Sequence, residues 1–325
     1  MIFQPSEKGD VTVLASLTEI AHLLRRPECL ETPLFLKEAI GTGGGEAIQT
    51  EDVVRRIHGQ PILIDFNASV ARPEDFNEGF RPLLDRKRHS LFRRFAKSLY
   101  VSTATSARNY KRVAAEIKLR VAKPVVLVIG GGTRGEGAET LYSDAELRVV
   151  SFDIYPSDNT LFVADAHSIP LVSGCVDLVC IQAVLEHVVD PVRVVSEIVR
   201  VLKPGGFVYA ETPFLQHVHE GAYDFWRFSE SGHRLLFREF EAIDRGTLGG
   251  PGLSLYWAVR QFWRAVTRSK TLGNLLAAPG LAFVMLDRII PERRRIDGAN
   301  GSFFFGVKLS GNVRPKLHPA DIYLG

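Results

Sequence analysis

Residues 124–137, PVVLVIGGGTRGEG, set an aliphatic run, Val125-Val126-Leu127-Val128-Ile129, directly before three glycines, Gly130, Gly131 and Gly132. An unbroken run of β-branched and aliphatic residues reads as a strand buried on both faces, as in a parallel sheet covered by helices. The glycines permit positive φ angles and let a ligand come close to the main chain. A helix starting near Glu136 aims its free N–H groups and positive dipole end at the carboxyl edge of the sheet, where open α/β sheets bind ligands. Taken alone, such a turn suits a dinucleotide, a nucleoside cofactor or nothing more than a tight bend.

The segments that follow narrow the choice. Residues 147–153 read as a second strand ending in Asp153, and residues 160–166 as a third ending in Asp165-Ala166. A carboxylate at the end of the second strand is placed to accept hydrogen bonds from both ribose hydroxyls of a ligand on the turn, although a lone Asp153 reads equally well as a surface acid. Residues 175–182 form a fourth, nearly all apolar strand running into Val184-Leu185-Glu186-His187. A helix over 191–202 stops at Lys203-Pro204-Gly205-Gly206 before a strand over 207–211. Strands alternating with helices at this spacing predict an α/β fold with a doubly wound, mostly parallel sheet, seven-stranded once the C-terminal segments are counted.

The strings VLVIGGGTRGEG, VVSFDIY, VADAHSIPL, VDLVCIQAVLEHVVDP and VLKPGGFVYAETP, in this order and spacing, resemble a class I S-adenosylmethionine-dependent methyltransferase over residues 125–309. The resemblance implies a Rossmann-like fold and S-adenosyl-L-methionine as cofactor. It puts the methionine moiety on Gly130, Gly131 and Gly132, the ribose on Asp153 with Ile154 beside it, and the adenine amino group by Asp165 and Ala166. Gln182 and Ala183 border the cofactor. Two departures stand out: Val128 occupies the place of an acid, and one residue is inserted at Thr133-Arg134-Gly135. An NAD-dependent oxidoreductase shares the turn and the first acid. It leaves unexplained the Asp165-Ala166 site and the Leu-Glu-His string followed by Lys-Pro-Gly-Gly.

Methyl transfer is an in-line displacement, so the enzyme aligns the reactants and removes a proton when the nucleophile is a hydroxyl. Histidine suits that task, and His187, just past the fourth strand, is the first candidate base. The plainer reading has Glu186 and His187 begin and brace a helix. His217 and His219 are alternative bases. In related methyltransferases a His…Asp-aromatic-x-Arg string lies over the active site. By resemblance, His217, His219, Asp224 and Arg227 form a polar wall for a sugar, with Tyr223, Phe225 and Trp226 stacking on its apolar face. A structural lid with Arg227 paired to Asp224 is compatible with that role. His217-x-His219-Glu220 lacks a further ligand at helical or strand spacing, so no metal is expected.

Around this domain the chain divides into a small α+β unit (1–78), a basic helical connector (79–123), the sheet domain (124–311, with a helical insertion over about 250–298) and a tail (312–325). The N-terminal unit resembles the zinc-ribbon-like domain that precedes many bacterial methyltransferases. Cys29 stands alone where cysteines are paired, Arg26 holds its partner's place, and no zinc is expected. Helices are predicted over 17–25, 50–57 and 107–120, strands over 11–14 and 61–66, and a loop over 41–45. The basic segment 81–97 reads as a solvated helix or as a surface for lipid head groups or a sugar phosphate.

A net charge of +3 is too small to argue nucleic-acid binding, and none is predicted. Three scattered cysteines argue against a disulfide framework and fit a reducing compartment. MIFQPSEKGD lacks the pattern of a signal peptide, and the apolar stretch 275–286 is broken by Pro279-Gly280. A cytoplasmic location is expected, with peripheral contact at the inner face of a membrane as a candidate through the aromatic and Arg-rich insertion. The functional expectation is O-methylation of a sugar, glycan or natural-product hydroxyl. The competing class is a catalytically weak or inactive binding scaffold on the same fold.

Overall fold

The computed structural model describes residues 14–36, 54–76, 101–309 and 316–325. Near its start Ser16 caps helix α1 (Leu17–Ile20): its side chain accepts from the Glu19 N–H, and Glu19 reaches back to the Ser16 N–H. This is the reciprocal cap that an S-x-x-E sequence encodes. Two hairpins follow, β1 (Arg25–Arg26) with β2 (Cys29–Pro33), and β3 (Arg56–Ile57) with β4 (Gln60–Leu63). Helix α2 (Val101–Arg120) leads to β5 (Val125–Ile129), and the glycine turn passes into a single helical turn, α3 (Glu139–Tyr142). Then come β6 (Arg148–Asp153), β7 (Phe162–Ala164), β8 (Val176–Gln182), α4 (Pro191–Val201) and β9 (Leu202–Pro213). Helix α5 (Glu230–Leu236) and β10 (Phe240–Thr247) precede the insertion, α6 (Pro251–Thr267), α7 (Lys270–Ala277) and α8 (Leu281–Leu286). Strand β11 (Gly301–Lys308) and α9 (Pro319–Ile322) complete the fold.

The sheet runs β10-β11-β9-β8-β5-β6-β7-β4-β3. Strands β4, β7, β6, β5, β8 and β9 are parallel neighbours, and β11 and β10 return antiparallel, so the expected doubly wound sheet forms. It has nine strands rather than seven because the N-terminal hairpin docks on the edge of β7, pairing Ile62 with Val163 and Leu63 with Ala164. All five residues of β5 are buried. Val125, Leu127 and Ile129 join a core on one face with Val194, Val195 and Ile198 of α4. Val126 and Val128 join the opposite core with Tyr110, Val113 and Ile117 of α2. Alternation with period two thus feeds both layers from one strand. The helix predicted from residue 191 forms as α4, with Asp190 as N-cap and Pro191 as first residue.

The helix predicted over 50–57 is corrected at its C-terminal end. Arg56 and Ile57 are strand, because Ile57 is drawn into an apolar cluster with Ile62, Ile64, Phe76 and Val163. Residues 50–53 lie outside the described residues, as do the loop 41–45, the basic segment 81–97 and residues 11–13 of the first predicted strand. Leu14 makes a parallel bridge to Val149.

In the insertion, Leu253, Tyr256, Ala277 and Val284 form a small separate core. Buried Asp287, just past α8, accepts from the N–H groups of Gly252 and Leu253 at 2.7 and 2.9 Å and caps α6, whose own N-cap is a glycine. No helix among the described residues is long and apolar enough to cross a membrane.

Candidate active site

The carboxyl ends of the central strands open onto a cavity of 510 Å³. At one end lies the glycine turn. Gly130 has φ +77°, and a Cβ there would sit 2.1 Å from Val184 Cγ2, so only glycine fits. The Gly130 and Gly131 N–H groups both donate to the Phe152 carbonyl at 3.0 Å. Asp153 anchors the rest: Oδ2 accepts from the Gly132 N–H at 2.8 Å and Oδ1 from the Ile154 N–H at 2.7 Å. The predicted ribose-binding acid therefore also holds the turn in shape.

Asp165 lines the same end. One of its oxygens accepts from the Ser69 hydroxyl, the other from the His167 N–H at 2.9 Å and Nδ1–H at 2.6 Å. Burial works against its charge, but these bonds hold its pKa below the ordinary value. His167 Nε2 accepts from the Asp190 N–H at 3.1 Å, which puts the ring proton on Nδ1. Val70, Ala71 and Phe76, from the segment after β4, wall this end and were not read from the sequence.

Gln182 and Ala183 sit on the cavity wall as expected, Ala183 with φ +53°. The Gln182 side chain belongs to a buried network that sequence reading missed. Its Nε2 donates to Glu211 Oε2 at 2.6 Å and to the Glu136 carbonyl at 3.2 Å, and Tyr110 donates to its Oε1 at 3.3 Å. Glu211 also accepts from Ser106, at 3.0 Å, and from the Tyr209 hydroxyl. Burial pushes its pKa up to about 7.

The far end is made by the turn after β8 and the loop after β9. Glu186 and His187 lie in a turn, not at the start of a helix. The Glu186 carbonyl accepts from the Phe225 and Trp226 N–H groups at 2.8 and 3.1 Å, and Trp226 Nε1 donates to the Val188 carbonyl at 3.0 Å. These bonds clamp the loop onto the turn. His187 Nδ1 lies 2.7 Å from the Tyr223 carbonyl, so Nδ1 carries the proton and Nε2 presents a lone pair. Burial lowers the His187 pKa, so the ring is neutral at pH 7. His219 meets it edge-on, with ring centroids 5.0 Å apart. The Glu186 side chain is 1% exposed and neither carboxyl oxygen has a hydrogen-bond partner. Burial drives its pKa up to about 8.

Of the predicted acceptor-site residues, His187, His219 and Tyr223 line the cavity, joined by Gln216, Glu220 and Asn300. His217, Asp224, Trp226 and Arg227 are not among the lining residues. The Asp224 carboxylate is wholly buried and held by Arg227 and by the His219 N–H, at 2.7 Å, while Arg227 also donates to the Gln216 and His217 carbonyls. Burial opposes the Asp224 charge, yet these donors keep it ionised well below the usual range. The pair is the framework of the loop, and the ring of Trp226 is turned to brace the Val188 turn.

Glycine turn, paired strand-end acids and sheet order define the class, a Rossmann-like domain of class I methyltransferase architecture. In agreement, residues 127–210 match the family model described as a methyltransferase domain. The enzyme class is S-adenosylmethionine-dependent methyltransferase, and its cofactor is S-adenosylmethionine. Among solved structures, the chain is similar to one described as a sarcosine dimethylglycine methyltransferase from Galdieria sulphuraria, at 15% identity and TM-score 0.42, covering 63% of this chain and 86% of that one. It is also similar to the [4+2]-cyclase SpnF, at 17% identity and TM-score 0.39, covering 63% and 81%. A third is phosphoethanolamine N-methyltransferase 2 of Haemonchus contortus, solved with phosphomonomethylethanolamine and S-adenosylhomocysteine, at 18% identity and TM-score 0.40, covering 62% and 53%. No curated protein matches the chain.

The residues present suit an adenosyl ligand. Phe152, Ile154, Ala164 and Phe76 offer apolar walls, and Asp153 and the glycine turn meet at one strand end. Gly130, Asp153 and the Asp165-Ala166 corner line the cavity and would hold it, whereas the predicted Gly131 and Gly132 are not among its lining residues.

Proposed function

We propose that the chain methylates a hydroxyl of a sugar, glycan or natural product, with His187 removing the hydroxyl proton. The observation that carries this reading is the orientation of His187. Its Nδ1–H is engaged by the Tyr223 carbonyl, which leaves a neutral Nε2 as proton acceptor on the wall of the cavity that also contains Asp153 and the glycine turn. The cofactor, when bound, supplies an electrophilic methyl group. The chain's own residues fix its ribose end, align the acceptor against Tyr223, Gln216 and His219, and take up the proton at His187 Nε2. The polarity of that wall supports a hydroxylated acceptor. Calorimetry with S-adenosylmethionine and S-adenosylhomocysteine, followed by a methyl-transfer assay on candidate polyols, tests it. No binding of either compound favours the scaffold reading, to which Val128 in place of an acid lends weight.

A peripheral membrane contact is the second part of the proposal. Leu255, Phe262, Leu275, Phe283, Met285 and Ile289 of the insertion are exposed on and beside α6–α8, near Arg288 and Arg293. Co-sedimentation with anionic vesicles tests it, and failure to bind with and without anionic lipid removes it. The N-terminal hairpins turning at Pro27-Glu28 and His58-Gly59 support the kinship with a zinc-ribbon-like domain that has lost its metal.

A further inference from the structure

The sequence offers His217-x-His219-Glu220 without a further ligand, and folding supplies it from a different loop. Glu186, His187 and His219 each bring one ligand atom within 4.8 Å of the other two, with Glu186 Oε1 3.7 Å from His187 Nε2. Two atoms bound to one metal at about 2.1 Å lie between about 3 and 4.2 Å apart, so a small inward movement closes the set. We propose that this trio is a site for a divalent first-row transition ion, zinc being the type, with an open coordination position that faces the acceptor.

Three observations support it independently. First, Glu186 is 1% exposed and both its oxygens lack hydrogen-bond partners. Buried polar groups are almost always paired, so this carboxyl asks for a ligand. Second, both imidazoles are oriented as metal ligands are. The His187 Nδ1–H is held by the Tyr223 carbonyl at 2.7 Å, and His219 Nδ1 lies 3.2 Å from both the His217 carbonyl and the Asp224 carboxylate. Outer acceptors of this kind fix the tautomer and leave Nε2 for the metal. Third, two imidazoles and one carboxylate are the protein ligands of many catalytic zinc sites, which keep a further position for water or substrate.

The inference rests on the proposed methyl transfer only for its purpose. An acceptor hydroxyl bound to the ion would ionise near neutral pH, releasing its proton to water. Its oxygen would then bond to the methyl carbon as the carbon–sulfur bond breaks, the electron pair remaining on sulfur. With the ion bound, His187 Nε2 is a ligand and water takes the proton; without it, His187 Nε2 is the base of the proposed function.

The test is binding of the ion alone. The full-length protein, stripped with chelator, is titrated with Zn²⁺ by calorimetry and with Co²⁺ by visible absorption. S-adenosylhomocysteine binding is measured in parallel on every variant. The expected result is one equivalent of ion, weakened at least tenfold by Glu186→Gln and by His219→Ala, with binding of the thioether unchanged. His219 is on an exposed loop, so its replacement keeps the fold. Absence of a stoichiometric site in the wild-type protein, or wild-type affinity in both variants, overturns the proposal. Loss of S-adenosylhomocysteine binding by the wild-type protein would instead sink the methyl-transfer reading and leave the metal titration to stand by itself.

Discussion

The two ends of the cavity follow opposite rules. At the glycine turn, Asp153 takes backbone N–H groups on both oxygens, and Asp165 is bonded to Ser69 and His167. At the acceptor end, Glu186 is equally buried, and neither of its carboxyl oxygens has a hydrogen-bond partner. The first end is finished before any ligand arrives, as suits a cofactor that every turnover requires. The second holds groups in reserve for chemistry that only the acceptor completes. A folded chain tolerates such a group because the surrounding turn, clamped by Phe225 and Trp226, is well determined.

The largest effect should come from the reserved end. His187→Ala should lower kcat by about 10²–10⁴-fold, whether His187 acts as base or as ligand, while the Kd for S-adenosylhomocysteine changes by less than about threefold. A parallel loss of cofactor affinity in steady-state and calorimetric measurements would break the contrast between the ends.

Next in size is Glu211, which lies between them. Its carboxyl has an ordinary value of 4.5 and is pushed up to about 7 by burial. Its contribution to stability is therefore fully present below about pH 4.5 and is lost as the pH rises through about 7, by about 3 kcal/mol in all. Thermal denaturation of wild type and Glu211→Gln from pH 5 to 8 should show the wild type losing ground to the variant as the pH rises. Parallel curves would mean that the Glu211 network does not titrate.

Asp153→Ala probes the finished end. It leaves the Gly132 and Ile154 N–H groups without their acceptor and removes the carboxylate proposed to bind the ribose, and it should weaken S-adenosylhomocysteine by about 2 kcal/mol, roughly thirtyfold. The melting temperature should fall too, since the same residue anchors the turn. A variant that loses affinity without losing stability would separate the two roles.

The smallest effect sharpens the account of the clamp. Trp226→Phe deletes one hydrogen bond to the Val188 carbonyl and should cost about 1 kcal/mol in chemical denaturation. An unchanged midpoint would show that the main-chain bonds to Glu186 suffice.

Much of the cofactor end was legible because its signals are local. An aliphatic run followed by glycines, acids at the ends of successive strands, and the helix start at Pro191 each lie within a few residues of the structure they specify. The acceptor end was only half legible. His187 and His219 were identifiable as candidates, but nothing in the sequence brings them together. Their meeting depends on the Asp224–Arg227 pair folding the loop back over the turn. Those two residues were readable as a wall or as a framework, and the geometry makes them the framework. At Arg56 and Ile57 charge placement misled: acids early and bases late mimic a helix, but Ile57 gains more by packing beside Val163. Ser69 over Asp165 had no sequence signal, since a lone serine after a strand has no preferred partner.

The docking of β4 on β7 has a consequence for anyone who trims the chain. A fragment beginning at α2 would keep the residues matched by the family model but strip β7 of its neighbour, exposing unpaired main-chain donors and acceptors. Naked strand edges of this kind recruit other chains, so the shortened protein should self-associate more than the chain that keeps β3 and β4.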